Sequence, residues 1–220
     1  MGKVSFRPLF CASALIIIAA LASCSQAEPR IIGVSLKLVY RQIGAAPVER
    51  LSCFVFAEDD DGDADLEELR LVNDRSQLYW TLTSSDWLTV VKTGQTWFGS
   101  HAISMPEGMK FPRGAYRLVL VDKGGERDER ALSFDAPSKS ERPFPTLAFS
   151  SGSYTVSSAY PKNLLIAYGA SGAVLRTLEL TEKAGKLADL SLGPNVVTVA
   201  LWAEDEAGSV AAFTDPLPIK

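Results

Sequence analysis

Tyr116-Arg117-Leu118-Val119-Leu120-Val121, with Gly114 before it and Gly124-Gly125 after it, is the stretch that decides the fold. It is short, apolar and rich in β-branched side chains, and glycine closes it at both ends. That is the signature of a strand rather than of a helix, which needs ten or more residues to bury a face. A polar turn around Gly124-Gly125 leads into a second such run that reaches Phe134-Asp135, so the unit is strand, turn, strand. The same grammar extends in both directions. Upstream, strands are predicted over 34–40, 51–57, 66–72, 78–82, 88–92 and 97–104, ahead of 116–121 and 131–134. Downstream they are predicted over 154–156, 164–168, 174–180, 187–190, 196–202 and 210–213. Turn signals recur every 8–12 residues or so, long helical periodicity is scarce, and the expected class is all-β, of the sandwich kind.

The strands fall into two sets. Pro137, Pro143 and Pro145 punctuate a polar segment, 137–145, that reads as a stiff extended linker. Each set ends alike. Gly114, 118–121, a glycine turn and Phe134-Asp135 close the first; Gly193, 197–202, a turn at Gly208 and Phe213 with Asp215 close the second. Further upstream, 51–57, an acidic turn and 66–72 match 164–168, a Gly-Ala-Ser-Gly turn and 174–180. Two copies of one sandwich follow, over 31–136 and 146–220.

Phe111-Pro112-Arg113-Gly114-Ala115-Tyr116 resembles the Pro-x-Gly-x-Tyr corner before the penultimate strand of fibronectin type III and related Ig-like domains. The resemblance implies two consecutive Ig-like β-sandwich domains, with the Tyr116 hydroxyl bonded back to nearby backbone. The second half departs from it, since Gly193-Pro194-Asn195 carries asparagine at the tyrosine's place.

At the amino terminus, Lys3 and Arg7 precede an apolar run from Leu9 through Leu21. A membrane span needs about 20 apolar residues, so this run fits the central region of a signal peptide instead. Leu21-Ala22-Ser23-Cys24 then resembles the lipobox of bacterial lipoproteins. The resemblance implies a signal peptide over 1–23, acylation of Cys24 and a lipidated tether over 24–30. It also implies a bacterial cell-envelope location, with Ser25 matching an outer-membrane address. Buried acyl chains contribute about 0.8 kcal/mol per CH2, enough for several of them to hold a protein stably.

Cleavage alters the charge. The whole chain carries 22 basic and 26 acidic residues, and loss of Lys3 and Arg7 leaves 20 and 26, a net charge of −6. Such a chain lacks the clustered cations that nucleic acid requires, and anionic lipid would not attract it, so its membrane contact rests on the N-terminal lipid. Of the three cysteines, Cys11 leaves with the signal and Cys24 takes lipid. Cys53 remains alone inside an apolar strand, where an inert buried thiol is expected, and no internal disulfide can form.

Eight carboxylates crowd eleven residues, Glu58-Asp59-Asp60-Asp61-Gly62-Asp63-Ala64-Asp65-Leu66-Glu67-Glu68. Calcium is the cation that such a set of oxygens would suit, and Asp59, Asp61, Asp63 and Asp65 are the candidate ligands. An EF-hand is excluded, because its first ligand position falls on Ala57 and strands rather than helices flank the loop. Calcium at a turn of another geometry and a solvated acidic turn both remain consistent with the residues. No other cofactor is implied.

No enzymatic set emerges. His101 is the single histidine, and Ser100, its neighbour on a strand, points to the opposite face. No Gly-x-Ser-x-Gly elbow, phosphate loop or dinucleotide fingerprint occurs. Aromatics offer a binding surface instead: Tyr79-Trp80, Trp87 and Trp97-Phe98 cluster in the first half. Adjacent side chains on a strand cannot share a core, so one of each pair is expected on the outside, in a patch of Tyr79, Trp80, Trp87 and Trp97 or in ordinary packing. The expectation is a non-enzymatic, adhesin-like binding or scaffolding module with a protein or glycan partner; the alternatives are a calcium-binding envelope protein using the acidic loop 58–68 and, behind it, a hydrolase with an unrecognised site.

Overall fold

A computed structural model describes residues 27–43, 46–106, 109–137 and 142–219. The signal segment 1–23, Cys24 and the first tether residues lie outside the described residues. So do 138–141 of the proline-rich segment and Glu107 and Gly108 of the 105–109 loop. Among the described residues, no helix is long and apolar enough to cross a membrane.

The fold is all-β. In the first half, β1 (Arg30–Ile43), β2 (Ala46–Glu58), β5 (Leu88–Lys92) and β6 (Gln95–Ser104) run in the order β1-β2-β6-β5. A second sheet sets β3 (Leu66–Asn73), β4 (Leu78–Thr83), β7 (Gly114–Asp122) and β8 (Arg127–Phe134) in the order β4-β3-β7-β8. These are the A-B-E-D and C′-C-F-G sheets of an Ig-like sandwich. Alternation builds the core between them. Leu51, Cys53, Val55 and Ala57 of β2 face Leu69 and Leu71 of β3 and Leu118 and Leu120 of β7, all buried.

The expected tyrosine corner is present. The Tyr116 hydroxyl donates to the Pro112 carbonyl at 2.8 Å, and its ring stacks on Trp80 with centroids 6.2 Å apart. Arg113 braces the corner from below. Its guanidinium donates to the buried Glu49 carboxylate at 3.0 Å and to the Ala136 carbonyl at 2.8 Å, and lies over the Phe134 ring. Glu49 also accepts the Phe111 N–H, so each buried charge has its partners.

The second half also builds two sheets. β9 (Thr146–Ser150), β10 (Ser153–Ser157) and β13 (Ala184–Lys186) form one sheet, in the order β13-β10-β9. β11 (Lys162–Tyr168), β12 (Val174–Glu179), β14 (Thr198–Glu204) and β15 (Val210–Phe213) form the other, in the order β12-β11-β14-β15. A short β16 (Leu217–Pro218) rejoins β14 after a break at Thr214, whose hydroxyl accepts the Leu201 N–H. Hence 164–168 and 174–180 occupy the third and fourth places of their sandwich, whereas 51–57 and 66–72 occupy the second and third. The expected correspondence slips there by one strand, because the second half's first hairpin is built from the short polar run 146–157. Residues 187–190, expected as a strand, form a single 3-10 turn ending at Ser191, whose φ is +47°.

The two halves share a sheet. β15 pairs with β1 in parallel, Leu38 against Val210 through Arg41 against Phe213, which makes one nine-stranded sheet. Ala203, Val210 and Ala212 pack into the first core, while Trp202 and Phe213 cover the outer face of β1 and β6. Phe144 of the proline-rich segment also packs on the first core.

Candidate functional site

Two loops meet at the end of the first sandwich where the chain enters it. After β2, the acidic loop folds on itself: Asp59 Oδ1 accepts the Asp61 N–H at 2.9 Å, and the Gly62 N–H donates to the Asp59 carbonyl. Gly62 has φ of +97°, a conformation glycine adopts without penalty. The loop after β7 closes similarly, with Asp122 Oδ1 accepting the Glu126 N–H at 2.9 Å. The Lys123 N–H donates to the Asp65 carbonyl and ties the loops together.

This folding leaves three carboxylates convergent. One oxygen each from Asp59, Asp65 and Asp122 lies within 4.8 Å of the others. The Oδ2 atoms of all three are buried without a hydrogen-bond partner, and Asp122 is only 1% exposed. Burial holds the Asp65 carboxyl above its ordinary range, and the charges of Asp122, Asp59 and Asp61 add to the rise. The amine of Lys123 opposes it weakly, since it donates to the Ala64 carbonyl instead. Of the four aspartates predicted as ligands, the structure brings Asp59 and Asp65 together. Asp61 instead accepts the Ala27 N–H at 2.8 Å, and Asp63 is exposed. Sequence reasoning missed Asp122. Its signal was its place at the end of the penultimate strand, since sandwiches cluster the loops after their second and penultimate strands at one end.

Beside this centre projects a hairpin. Thr93 and Gly94 both have positive φ, +50° and +78°, and make a two-residue turn between β5 and β6. All five residues of β5 are exposed, including Leu88 at 52%, Val90 at 38% and Val91 at 75%. β5 ends its sheet, so its outer edge has no partner strand among the described residues. The hairpin tip faces the acidic loop across a cleft of 420 Å³ lined by Phe56, Asp59, Asp60 and Gly94 among others.

The aromatic patch separates into packing and one exposed ring. Trp80 is half-buried against Phe111 and Tyr116, with its Nε1 donating to the Ser104 carbonyl. Trp87 packs on Phe98, and Trp97 packs on Phe56 with Lys92 over its ring. Tyr79 is 73% exposed. The rule for adjacent strand residues holds, with Tyr79 and Trp97 on the outer faces and Trp80 and Phe98 turned to the core.

Cys53 is fully buried, and burial pushes its thiol up to about 12. His101 bonds to the Ser52 hydroxyl at 2.9 Å and sits among Phe54, Trp202 and Phe213.

No protein-family model matches the chain, and no curated protein does. Among solved structures, the chain is similar to Tp47, the 47-kilodalton lipoprotein of Treponema pallidum, at 14% identity and a TM-score of 0.34, covering 86% of this chain and 51% of that one. It is similar to the BSP domain of a biofilm-associated protein at 13% identity and a TM-score of 0.29, covering 85% and 29%. Dimeric latent PorU from Porphyromonas gingivalis matches at 12% identity and a TM-score of 0.33, covering 87% and 20%. The chain thus spans about half the length of the first of these proteins and less of the others.

Proposed function

We propose that the chain is a non-enzymatic, protein-binding module of a bacterial cell envelope, anchored by lipid on Cys24 and engaging an extended segment of its partner along β5. The open edge of β5 carries this reading. Proteins blunt exposed sheet edges with charges, proline or a covering element, because unpaired backbone groups recruit other strands. β5 presents Leu88, Val90 and Val91 to solvent with only Lys92 as a charge. Strand addition supplies backbone hydrogen bonds for affinity and side-chain pockets for specificity. A glycan has no strand to add, so the edge favours a protein partner over a sugar.

Val91→Lys places a charge on the edge without touching the core. Stability is expected to change by less than about 0.5 kcal/mol, as at ordinary surface positions. Capture of an envelope partner by the full chain in detergent is expected to fall at least tenfold in Val91→Lys and to persist in Tyr79→Ala. Equal capture by all three proteins would remove the edge from the mechanism. Mass spectrometry of the mature amino terminus checks the anchor, with an acylated Cys24 as the expected first residue. Protease treatment of intact cells then places the module: cleavage puts it on the surface, and protection puts it in the periplasm.

A further inference from the structure

We propose that Asp59, Asp65 and Asp122 together bind one calcium ion, at the end of the first sandwich nearest the lipid-bearing terminus. This inference is independent of the β5 reading, since it concerns a different set of groups and a different ligand.

The geometry comes first. Three carboxylate oxygens from two separate loops approach within 4.8 Å of one another, about twice the 2.3–2.6 Å of a calcium–oxygen bond. Acidic loops without an ion splay their charges into water, yet these oxygens turn inward. Asp122 is the decisive residue. It is 1% exposed, spends Oδ1 on the Glu126 N–H and leaves Oδ2 buried and partnerless beside two other carboxylates. A buried carboxylate oxygen with neither a hydrogen bond nor a cation is strongly unfavourable, so the arrangement calls for a positive ligand. The nearby Lys123 amine does not fill the role, because it donates to the Ala64 carbonyl.

The donor set selects the metal. Only hard oxygens converge, with no histidine or thiol among them, which disfavours zinc. Magnesium requires near-ideal octahedral geometry and is usually held by one or two carboxylates through retained waters. Three aspartates on two loops suit calcium, whose remaining positions water and loop carbonyls can complete. The ion would clamp the β2–β3 loop to the β7–β8 loop. The first of these already holds the incoming chain through the Asp61 bond to the Ala27 N–H. Calcium would thereby fix where the tether joins the domain.

The test uses the full chain in detergent, stripped with EDTA and titrated with calcium chloride in a calorimeter, with melting followed in parallel. One ion per chain is expected, with Kd in the range of roughly 10⁻⁴–10⁻³ M usual for extracellular modules, and a rise in Tm. Asp122→Asn keeps the Oδ1 acceptor for Glu126 and removes the charge. It is expected to weaken calcium at least tenfold and, in EDTA, to melt higher than the parent because one repulsive charge is gone. Asp60→Asn, in the same loop but outside the cluster, is expected to leave Kd within twofold. Should Asp122→Asn fail to fold, Asp65→Asn takes its place with the same expectation. Absence of heat and of a Tm shift at about 10 mM calcium, well above that range, would overturn the proposal. So would an equal calcium response in Asp122→Asn, or an equal loss in Asp60→Asn, which would mean diffuse charge rather than a site.

Discussion

Gly99→Ala is expected to yield little or no folded protein, with a loss of at least about 4 kcal/mol, in the range reserved for severe overpacking. Gly99 lies in β6 between two neighbours, paired with Phe54 of β2 on one side and Leu88 of β5 on the other. A Cβ there would fall 1.9 Å from the Cys53 carbonyl oxygen and 2.8 Å from the Phe54 Cα. Both obstacles are backbone, so no rotamer change relieves the clash. The strands could separate only by breaking the β2–β6 ladder, which carries the inward face of Leu51, Cys53 and Val55. A Gly94→Ala variant at the hairpin tip, where nothing lies within 4 Å of the added carbon, serves as the comparison. It has a strained φ of +78° but no steric conflict, and a cost of about 1 kcal/mol is expected. Circular dichroism and urea unfolding measure both, and a Gly99→Ala protein as stable as Gly94→Ala would refute the close approach.

That crossing marks the boundary of what the residues alone disclose. Strand content was legible because each core strand carries its own signal: 118–121 is apolar, glycine closes it, and the pleat then dictates which side chains turn inward. Trp80 against Tyr79 and Phe98 against Trp97 follow from the period of two alone. The short strands Thr146–Ser150 and Ala184–Lys186 were invisible, because partly exposed polar runs form strands only when a neighbour supplies the ladder. Half of the candidate metal centre was legible for a similar reason. A run of aspartates announces a charged loop, but which oxygens converge is decided by a second loop 57 residues further on, at Asp122 rather than Asp65.

The union of the two halves was hidden for a deeper reason. Parallel pairing between β1 and β15 joins strands from opposite ends of the chain, and a parallel pair leaves no turn signal between its members. Its trace in the sequence is compositional: Val210-Ala211-Ala212-Phe213 is apolar throughout and buried on both faces, as a strand enclosed by other layers must be. One consequence concerns the proposed function. β5 and the entering strand β1 belong to that one sheet, so under the proposed function β5 would keep a fixed place relative to Arg30, which would limit the ordering cost of binding an extended partner.

His101 reports on that union through pH. It sits on the outer face of β6, 4.9 Å from the Trp202 ring and 4.6 Å from the Phe54 ring, so folding removes it from water. Burial lowers its pKa from 6.5 to about 4, helped by the positive charges of Lys37 and Arg41. The unfolded chain therefore binds a proton between pH 6.5 and about 4 that the folded chain refuses, and stability falls as pH drops through this window. At roughly 1.4 kcal/mol per pH unit, the loss from His101 reaches about 2 kcal/mol at pH 5 and about 3 kcal/mol near pH 4. Above pH 6.5 both states are neutral and the contribution disappears. Glu204 faces the same joint through its ion pair with Lys37 and acts in a different range. Burial raises its carboxyl, but hydrogen bonds from Lys37 and Trp202 outweigh that and the net shift is downward, so its stabilisation is lost only as pH falls below 4.5. At this joint, the interval from 6.5 to 4.5 belongs to the imidazole. Replacing it by His101→Phe keeps an aromatic ring against Trp202 and removes the titration. Urea unfolding at pH 7 and pH 5 is expected to show a drop of about 2 kcal/mol in the parent, and a drop smaller by most of that amount in the variant. An unchanged drop in His101→Phe would mean that the histidine stays wet and that the second half does not seal the outer face of β6.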